Sequence, residues 1–503
     1  MDQELALAIL MSGRSALLTG AAGTGKTHLL NTFIAQARDQ GKKVSVTATT
    51  GLAATHLGGN TIHSWSGIGV SDHLANNFFD RLSKTRREVI MKTDVLVIDE
   101  ISMLHDFRLD MVDRVLRGVR ENDQPFGGIQ LVMSGDFFQL PPINRPGEQG
   151  GGFVVYSEVW QELQPAVLYL ERQYRQNDEQ LLEILTALRH DDIRRHHAET
   201  LLARTEVELP DGDITELHTV NVDVDAINSQ KLAELVGEER TYQQTTTGSK
   251  VYVESLQRSV LAPSELVLKL GALVMAVKNS PQKLYANGSI GTVVDFEPLT
   301  DYPIVEFRSG QQVTMVPDVW ELRDGERKRA SISQVPLRLA WAITVHKSQG
   351  MTLDAAKIDL RKAFVEGMGY VALSRVRDLD NLYLYGINRK ALAVSPDALA
   401  IDEVLQRASS KAAKHYRPML EEMKRKQSTQ KKSGKSVSWQ QKIAKMRETH
   451  PKAYMPWEKA DDDTLKQEFL QGATIQQLSQ KLGRHEGSIK MRLQKHFGED
   501  TVV

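Results

Sequence analysis

Eight residues near the start of the chain, GAAGTGKT from Gly20 to Thr27, carry the spacing G-x-x-x-x-G-K-T. Glycines at these places let backbone amides turn inward around phosphate oxygens, and a helix N-terminus adds a positive field. Gly20, Gly23, Thr24, Gly25, Lys26 and Thr27 are therefore the candidate triphosphate cradle. Lys26 supplies a point charge to the β- and γ-phosphates, and Thr27 offers a hydroxyl to Mg²⁺. Further on, LVIDE ends in Asp99 and Glu100. An apolar strand thus delivers two carboxylates at its C-terminal end, where α/β sheets bind ligands. Asp99 is placed to hold Mg²⁺ and Glu100 to take a proton from the attacking water. The implied cofactors are ATP and Mg²⁺; a guanine-reading NKxD is nowhere in the chain.

Three more segments bear on what hydrolysis drives. GDFFQLPP places Gln139 beside the γ-phosphate position, ERQYRQ offers Arg175 and YVALSR ends in Arg375. Both arginines are read as coming from a second domain. Arginines that reach across to a nucleotide stabilise transition-state charge and make hydrolysis depend on domain closure.

The elements that must position these residues alternate. SALLTG, VSVTATT, DVLVIDE and QLVMSGD read as buried strands, separated by helices with apolar residues at 3.6 spacing, such as Leu29, Leu30, Phe33, Ile34 and Ala37. That pattern predicts a doubly covered parallel sheet over residues 1–170. The alternation resumes over 171–242 and 331–400. Between them, 243–330 shows only short strands broken by Gly, Asn and Pro, the mark of a small antiparallel barrel inserted in the second α/β domain. Residues 403–455 read as a basic, partly disordered linker; within them, 405–455 hold 14 Lys and Arg against 3 Asp and Glu, and KRKQSTQKKSGKS is low-complexity. Over 456–503, two helical stretches flanking GRHEG predict a helix-turn-helix module.

Composition bounds the class. The chain has 503 residues, 25% charged and 41% hydrophobic, and a net charge of -1, which excludes a rod, wholesale disorder and a uniformly basic coat. Cysteine is absent, so thiolate metal sites and cysteine nucleophiles are excluded. His196 and His197 read as a solvated helix face. No apolar run reaches a membrane span, and the first residues lack a basic leader, so the expectation is a soluble, intracellular protein.

With these motifs in hand, the chain resembles a superfamily-one helicase of the 5′→3′ group, and within it the petite-integration-frequency (Pif) helicases. The most specific block is RGVRENDQPFGGIQLVMSGDFFQLPP. TTGLAATHLGG, TIHSW, AITVHKSQGMTLD and GMGYVALSRVRDLDNLYL also match, and the likeness covers about residues 1–395. It implies two RecA-like domains and an ATP-dependent DNA helicase acting on single-stranded and forked DNA. It implies that Gln3 reads adenine and that Gln139 couples the nucleotide to the DNA track. Thr49, Gly51, His63 and Ser64 would touch single-stranded DNA from the first domain, and Thr344, His346 and Lys347 from the second. Taken singly, His63 and His346 would more often be structural histidines; the hydroxyl-His-polar grouping at both places is what fits phosphate contacts. The stretch 66–87 falls where the family carries its strand-separating wedge, with Phe78 and Phe79 as pin candidates or as ordinary packing aromatics. The barrel corresponds to the family's Src-homology-three-like insert. The long N-terminal extension of eukaryotic members is absent, which suggests a bacterial or phage-type form, cytoplasmic and nucleoid-associated. A monomer is expected, and the C-terminal module is open to DNA or a protein partner. Two other readings stand beside the motor: a RecD-like subunit of a nuclease complex, and a nucleotide-switched DNA-binding regulator.

Overall fold

The computed structural model describes residues 1–433 and 446–497, apart from 70, 145–148, 177, 210–213, 258–259, 281, 283 and 325–326. The chain forms two compact units, residues 1–417 and 418–503.

In the first unit, six strands make one sheet: β1 (Ala16–Gly20), β2 (Val44–Ala48), β3 (Asn60–Thr61), β4 (Val95–Asp99), β5 (Gln130–Ser134) and β6 (Ala166–Leu170), in the order β3-β2-β4-β5-β1-β6. Every neighbouring pair is parallel. β1 is buried along its whole length, and β4 and β5 nearly so, because helices cover both faces; hence their unbroken apolar sequences. Helix Lys26–Asp39 buries Leu29, Leu30, Phe33, Ile34 and Ala37, the stripe that its periodicity predicts. The order β4-β5-β1 sets the C-terminal ends of three strands side by side. These ends carry Asp99, Asp136 and the phosphate loop. β3, only two residues long, is too short to stand out in the sequence.

A second sheet opens with β7 (Glu216–His218). The chain then leaves it for β8 (Arg240–Gln243), β9 (Thr245–Gly248), β10 (Glu265–Leu268), β11 (Leu273–Ala276), β12 (Ile290–Phe296), β13 (Pro303–Phe307), β14 (Gln312–Thr314), β15 (Asp318–Asp324), β16 (Arg327–Gln334) and β17 (Leu337–Leu339). It returns as β18 (Ala342–Thr344), β19 (Ala356–Leu360) and β20 (Leu382–Ile387). The second sheet has the order β18-β7-β19-β20 and is parallel.

The inserted strands are antiparallel, as expected, but the insert is wider than 243–330. β8 pairs with β10 at one end, and at the other β17 pairs with β11. Leu337–Leu339 therefore belongs to the insert, and the return to the parallel sheet begins at Ala342. The apolar run LRLAWAIT hides this change, because both halves are buried strands. The inserted strands form a two-stranded, a five-stranded and a three-stranded sheet, and a helix, Lys250–Gln257, interrupts them.

Helix Pro396–Ser433 also departs from expectation. Residues 403–417, read as linker, are its ordered continuation, with Leu405 and Ser409 buried. Basic residues spaced along one solvent face mimic a linker in composition. The low-complexity stretch runs on into 434–445, outside the described residues. In the second unit, helices Lys459–Leu470, Ile475–Leu482 and Glu486–Phe497 enclose Leu465, Leu478, Leu482, Ile489 and Leu493. Thr474 and Gln477 make a capping box on the middle helix, and Gly483 ends it at φ 61°.

Candidate active site

The sheet order brings the predicted nucleotide residues together. A cavity of about 550 Å³ is lined by Gly23, Gly25, Lys26, Thr27, Glu100, Gln139, Arg175 and Arg375, with Ala22, His28, Tyr174, Gly350, Thr352 and Arg377. Lys26 Nζ donates to the carbonyls of Gly20 at 2.8 Å and Ala21 at 3.0 Å, so the ammonium is curled into its own loop. Burial holds its pKa down. Thr24 is buried and its hydroxyl donates to Ala21 O. Gly20 has no room for a side chain: a Cβ there would lie 2.4 Å from Leu170 O. Gln3 reaches the loop from the first helix, and its Nε2 donates to Thr24 O at 3.3 Å.

Glu100 follows β4 in the left-handed region, at φ 54°. Burial, then the charge of Asp99, pushes its carboxyl up to about 7. Asp99 is also raised by burial, and the Ser134 hydroxyl hydrogen-bonds to it. A carboxylate with the Ser134 hydroxyl on it offers hard oxygen donors that suit Mg²⁺.

Gln349 was not picked out by sequence reading, although it lies in the quoted AITVHKSQG block. Its Nε2 donates to Glu100 Oε2 at 3.0 Å and to Gln139 Oε1 at 3.2 Å. This amide, two residues past Lys347, joins the two parallel-sheet halves across the carboxylate. Asp136, Arg189 and Tyr370 were missed as well. Asp136 sits inside GDFFQLPP and Tyr370 inside GMGYVALSR, whereas nothing local marks Arg189.

Of the two arginines, only Arg175 differs from expectation in origin. Arg375 comes from the second half and is almost wholly buried. Its guanidinium donates to the carbonyls of Val371, Ser348 and Met351, and burial, then Arg175, brings its pKa down to about 9. Arg175 lies on the segment leaving β6. Since β6 pairs with β1, that segment must cross the loop that follows β1. Tyr174 N accordingly donates to Gly23 O at 3.0 Å, and a Cβ on Gly23 would lie 2.6 Å from Arg175 Cβ. Arg175 touches the second half through Nη1, which donates to Ser374 O at 3.2 Å.

The nucleic-acid candidates divide. Gly51 and Ser64 line a cleft of about 330 Å³ together with Lys278 and Trp320 of the insert. Thr49 is buried, and its hydroxyl donates to the Glu100 backbone carbonyl at 2.9 Å, so it braces the main chain that carries the carboxylate. His63 Nε2 accepts from Arg108 at 3.3 Å, and burial, then Arg108, holds its pKa down to about 4. At neutral pH it offers no positive charge to a phosphate. Thr344 is buried, with Oγ1 accepting from Lys347 N at 3.3 Å. Burial lowers both His346 and Lys347, and His346 stacks on Phe364. These three line neither the cleft nor the nucleotide cavity. Phe79 lies against Gly118 of helix Asp106–Arg120, where a Cβ would come within 2.5 Å of its ring, and Phe78 is partly buried on the core.

Glu183, His196 and His197 gather their ligand-type atoms within 4.8 Å of one another. His197 Nδ1, however, accepts from Arg194 N at 3.1 Å, so the proton of the neutral ring is on Nε2 and points to Glu183 Oε1. The cluster is a hydrogen bond in that tautomer, not a cation site.

A phosphate loop and a strand-end carboxylate pair, closed by groups from a second parallel sheet, place the chain among RecA-like nucleoside-triphosphate hydrolases. A family model described as PIF1-like helicase matches residues 2–194. The ATP-dependent DNA helicase Pif1 of a Psychrobacter species is 39% identical over 483 residues, covering 84% of this chain and 73% of that protein. Bacteroides Pif1 with ADP-AlF4 aligns with a TM-score of 0.71 at 30% identity, covering 81% of this chain and 97% of that one. Bacteroides Pif1 bound to ssDNA aligns with a TM-score of 0.59 at 31% identity, over 82% of this chain and 97% of that one. The chain belongs to the PIF1-like helicase family.

Proposed function

We propose that this chain is an ATP-dependent DNA helicase that moves 5′→3′ on single-stranded DNA and separates duplex ahead of it. The observation that carries this reading is the nucleotide cavity lined from both parallel-sheet halves, in which Gln349 of the second half reaches Glu100 of the first. Closure of the halves and hydrolysis are then one event.

Lys26 leaves the carbonyls of Gly20 and Ala21 to meet the β- and γ-phosphates. Glu100 accepts the proton of the attacking water, and Gln349 and Gln139 hold its carboxylate and the water in line. Arg175 and Arg375 supply the positive charge that the transferring phosphoryl group needs. Thr27 and Asp99 would hold Mg²⁺, which neutralises phosphate charge when bound. Gln3 faces the loop where an adenine edge would come. Gly51 and Ser64, with Lys278 and Trp320, form part of the DNA path, where backbone charge and base stacking give a sequence-tolerant grip. Direction follows from the family resemblance.

The insert is read as the family's Src-homology-three-like barrel, and the last three helices as a helix-turn-helix module. The protein works as a monomer on chromosomal DNA in the cytoplasm. Unwinding of 5′-tailed against 3′-tailed duplex tests the central reading: separation of the 5′-tailed substrate alone is expected, and preference for the 3′ tail would overturn the direction.

A further inference from the structure

Between the two halves lies a buried polar group that the nucleotide reading leaves unused. Asp136 follows β5 in the first half. Arg189 ends helix Glu179–Arg189, and Tyr370 lies in helix Met368–Leu373. All three are more than nine-tenths buried. Arg189 Nη1 donates to Asp136 Oδ1 at 2.7 Å and to the Tyr370 hydroxyl at 3.1 Å. The Tyr370 hydroxyl donates to Asp136 Oδ2 at 3.2 Å and accepts the Ala22 backbone N–H at 2.9 Å. The bookkeeping closes: a phenol has one proton to give and two lone pairs to receive. The far side of the same residue is held too, since Gln173 Nε2 donates to Ala22 O at 2.6 Å.

Ala22 is inside the phosphate loop, so the placement of the loop's backbone is set by a side chain of the second half. A buried ion pair adds little net stability over an apolar replacement of the same shape, and its better-attested use is to fix register. Tyr370 also shares its helical turn with the arginine of the site. Ser374 N donates to Tyr370 O, and Arg375 Nε donates to Val371 O. Movement of this turn therefore shifts the Ala22 amide and Arg375 together.

We propose that Tyr370, held by Arg189 and Asp136, is a positioning residue for ATP hydrolysis: its hydroxyl fixes the phosphate loop through the Ala22 amide and ties loop geometry to the stance of the second half. This deepens the helicase reading of the same site and rests on it. Because the network sets the loop but touches no substrate atom, its loss acts on kcat more than on DNA affinity.

The test is steady-state ATPase of the full chain, with and without single-stranded DNA, for Tyr370→Phe, which keeps the ring and removes the hydroxyl. The expected result is a fall of about tenfold or more in DNA-stimulated kcat, with KM for ATP and nucleotide-free DNA affinity within about threefold. Arg189→Lys keeps the charge but loses the two-pronged hold, and the same direction is expected; it decides the matter should Tyr370→Phe fail to fold. The double variant should cost no more than the worse single one, as members of one unit do. Leu188→Ala, a buried apolar truncation in the same helix, controls for stability: it lowers the melting temperature and keeps kcat. A kcat for Tyr370→Phe within twofold of the parent, or a loss matched by Leu188→Ala at equal thermal shift, overturns the inference. Absence of DNA-stimulated ATPase in the parent chain would instead overturn the helicase reading.

Discussion

Glu100 is held in a backbone conformation that non-glycine residues rarely take, and its carboxyl is raised to about 7 by burial and by Asp99. A base must be ionised to accept a proton. Turnover should therefore fall as pH drops through about 7, the direction set by a raised carboxyl. A pH profile of DNA-stimulated kcat checks this; a profile flat from pH 8 to about 6 would remove Glu100 from the role, because its carboxylate fraction must change over that range. Glu100→Gln should keep ATP binding and lose about 10² in rate or more. Arg375→Ala and Arg175→Ala should each bind ATP and lose DNA-stimulated hydrolysis, since both lie at the cavity while Glu100 and Lys26 stay in place. Retention of full stimulated turnover in either would free that residue from the transition state. Lys26 and Glu100 were legible because the loop and the carboxylate pair are contiguous motifs on one sheet. Arg189 and Tyr370 were not, because their partners lie 53 and 348 positions away in sequence. Buried charge networks leave no local periodicity to read.

At the scale of elements, periodicity found the helices and the central strands, where burial on one or both faces dictates residue type. It failed where two neighbouring strands are both buried yet belong to different sheets, as at Leu337–Leu339 and Ala342–Thr344. It also could not decide whether Phe78 and Phe79 project or pack. The structure favours packing: Phe79 closes over Gly118, a position where only glycine leaves room for the ring. Phe79→Ala should then destabilise the first domain by about 1–2 kcal/mol, below the ~3–5 of a fully buried phenylalanine because the ring stays partly exposed. Base pairs opened per ATP should be unchanged. Thermal melting and a coupled unwinding–ATPase assay separate the two: an intact melting temperature with lost unwinding would restore the pin.

For the molecule as a whole, the question is what the last 86 residues, 418–503, add to the first unit. Helix Pro396–Ser433 places the boundary. Its first part is welded to the motor: Ser409 Oγ accepts from Tyr169 N at 3.1 Å, and Asp402 Oδ1 accepts from the Tyr169 hydroxyl at 2.8 Å. A truncation at 403 would tear out buried Leu405 and Ser409 and injure the motor. One after Arg417 would spare it. The structure also reduces the positive charge that the module can present. Arg492 is paired with Asp462, whose carboxyl it holds down to about 2, and Arg484 is buried against Asp461. Lys490 and Lys495 stay exposed on the last helix, beside exposed Met491. The basic residues that precede this helix would attract phosphates without reading sequence. Deletion of 418–503 should leave DNA-stimulated ATPase within a few-fold and weaken binding to forked DNA. The double change Lys490→Glu and Lys495→Glu should flatten the logarithmic salt slope by about 2, because each phosphate that a lysine no longer neutralises takes about 0.9 from the slope. Fork binding across a salt series reads both effects. Identical affinity and slope for the parent and the deletion would take DNA away from this module and give its exposed helix to a protein partner.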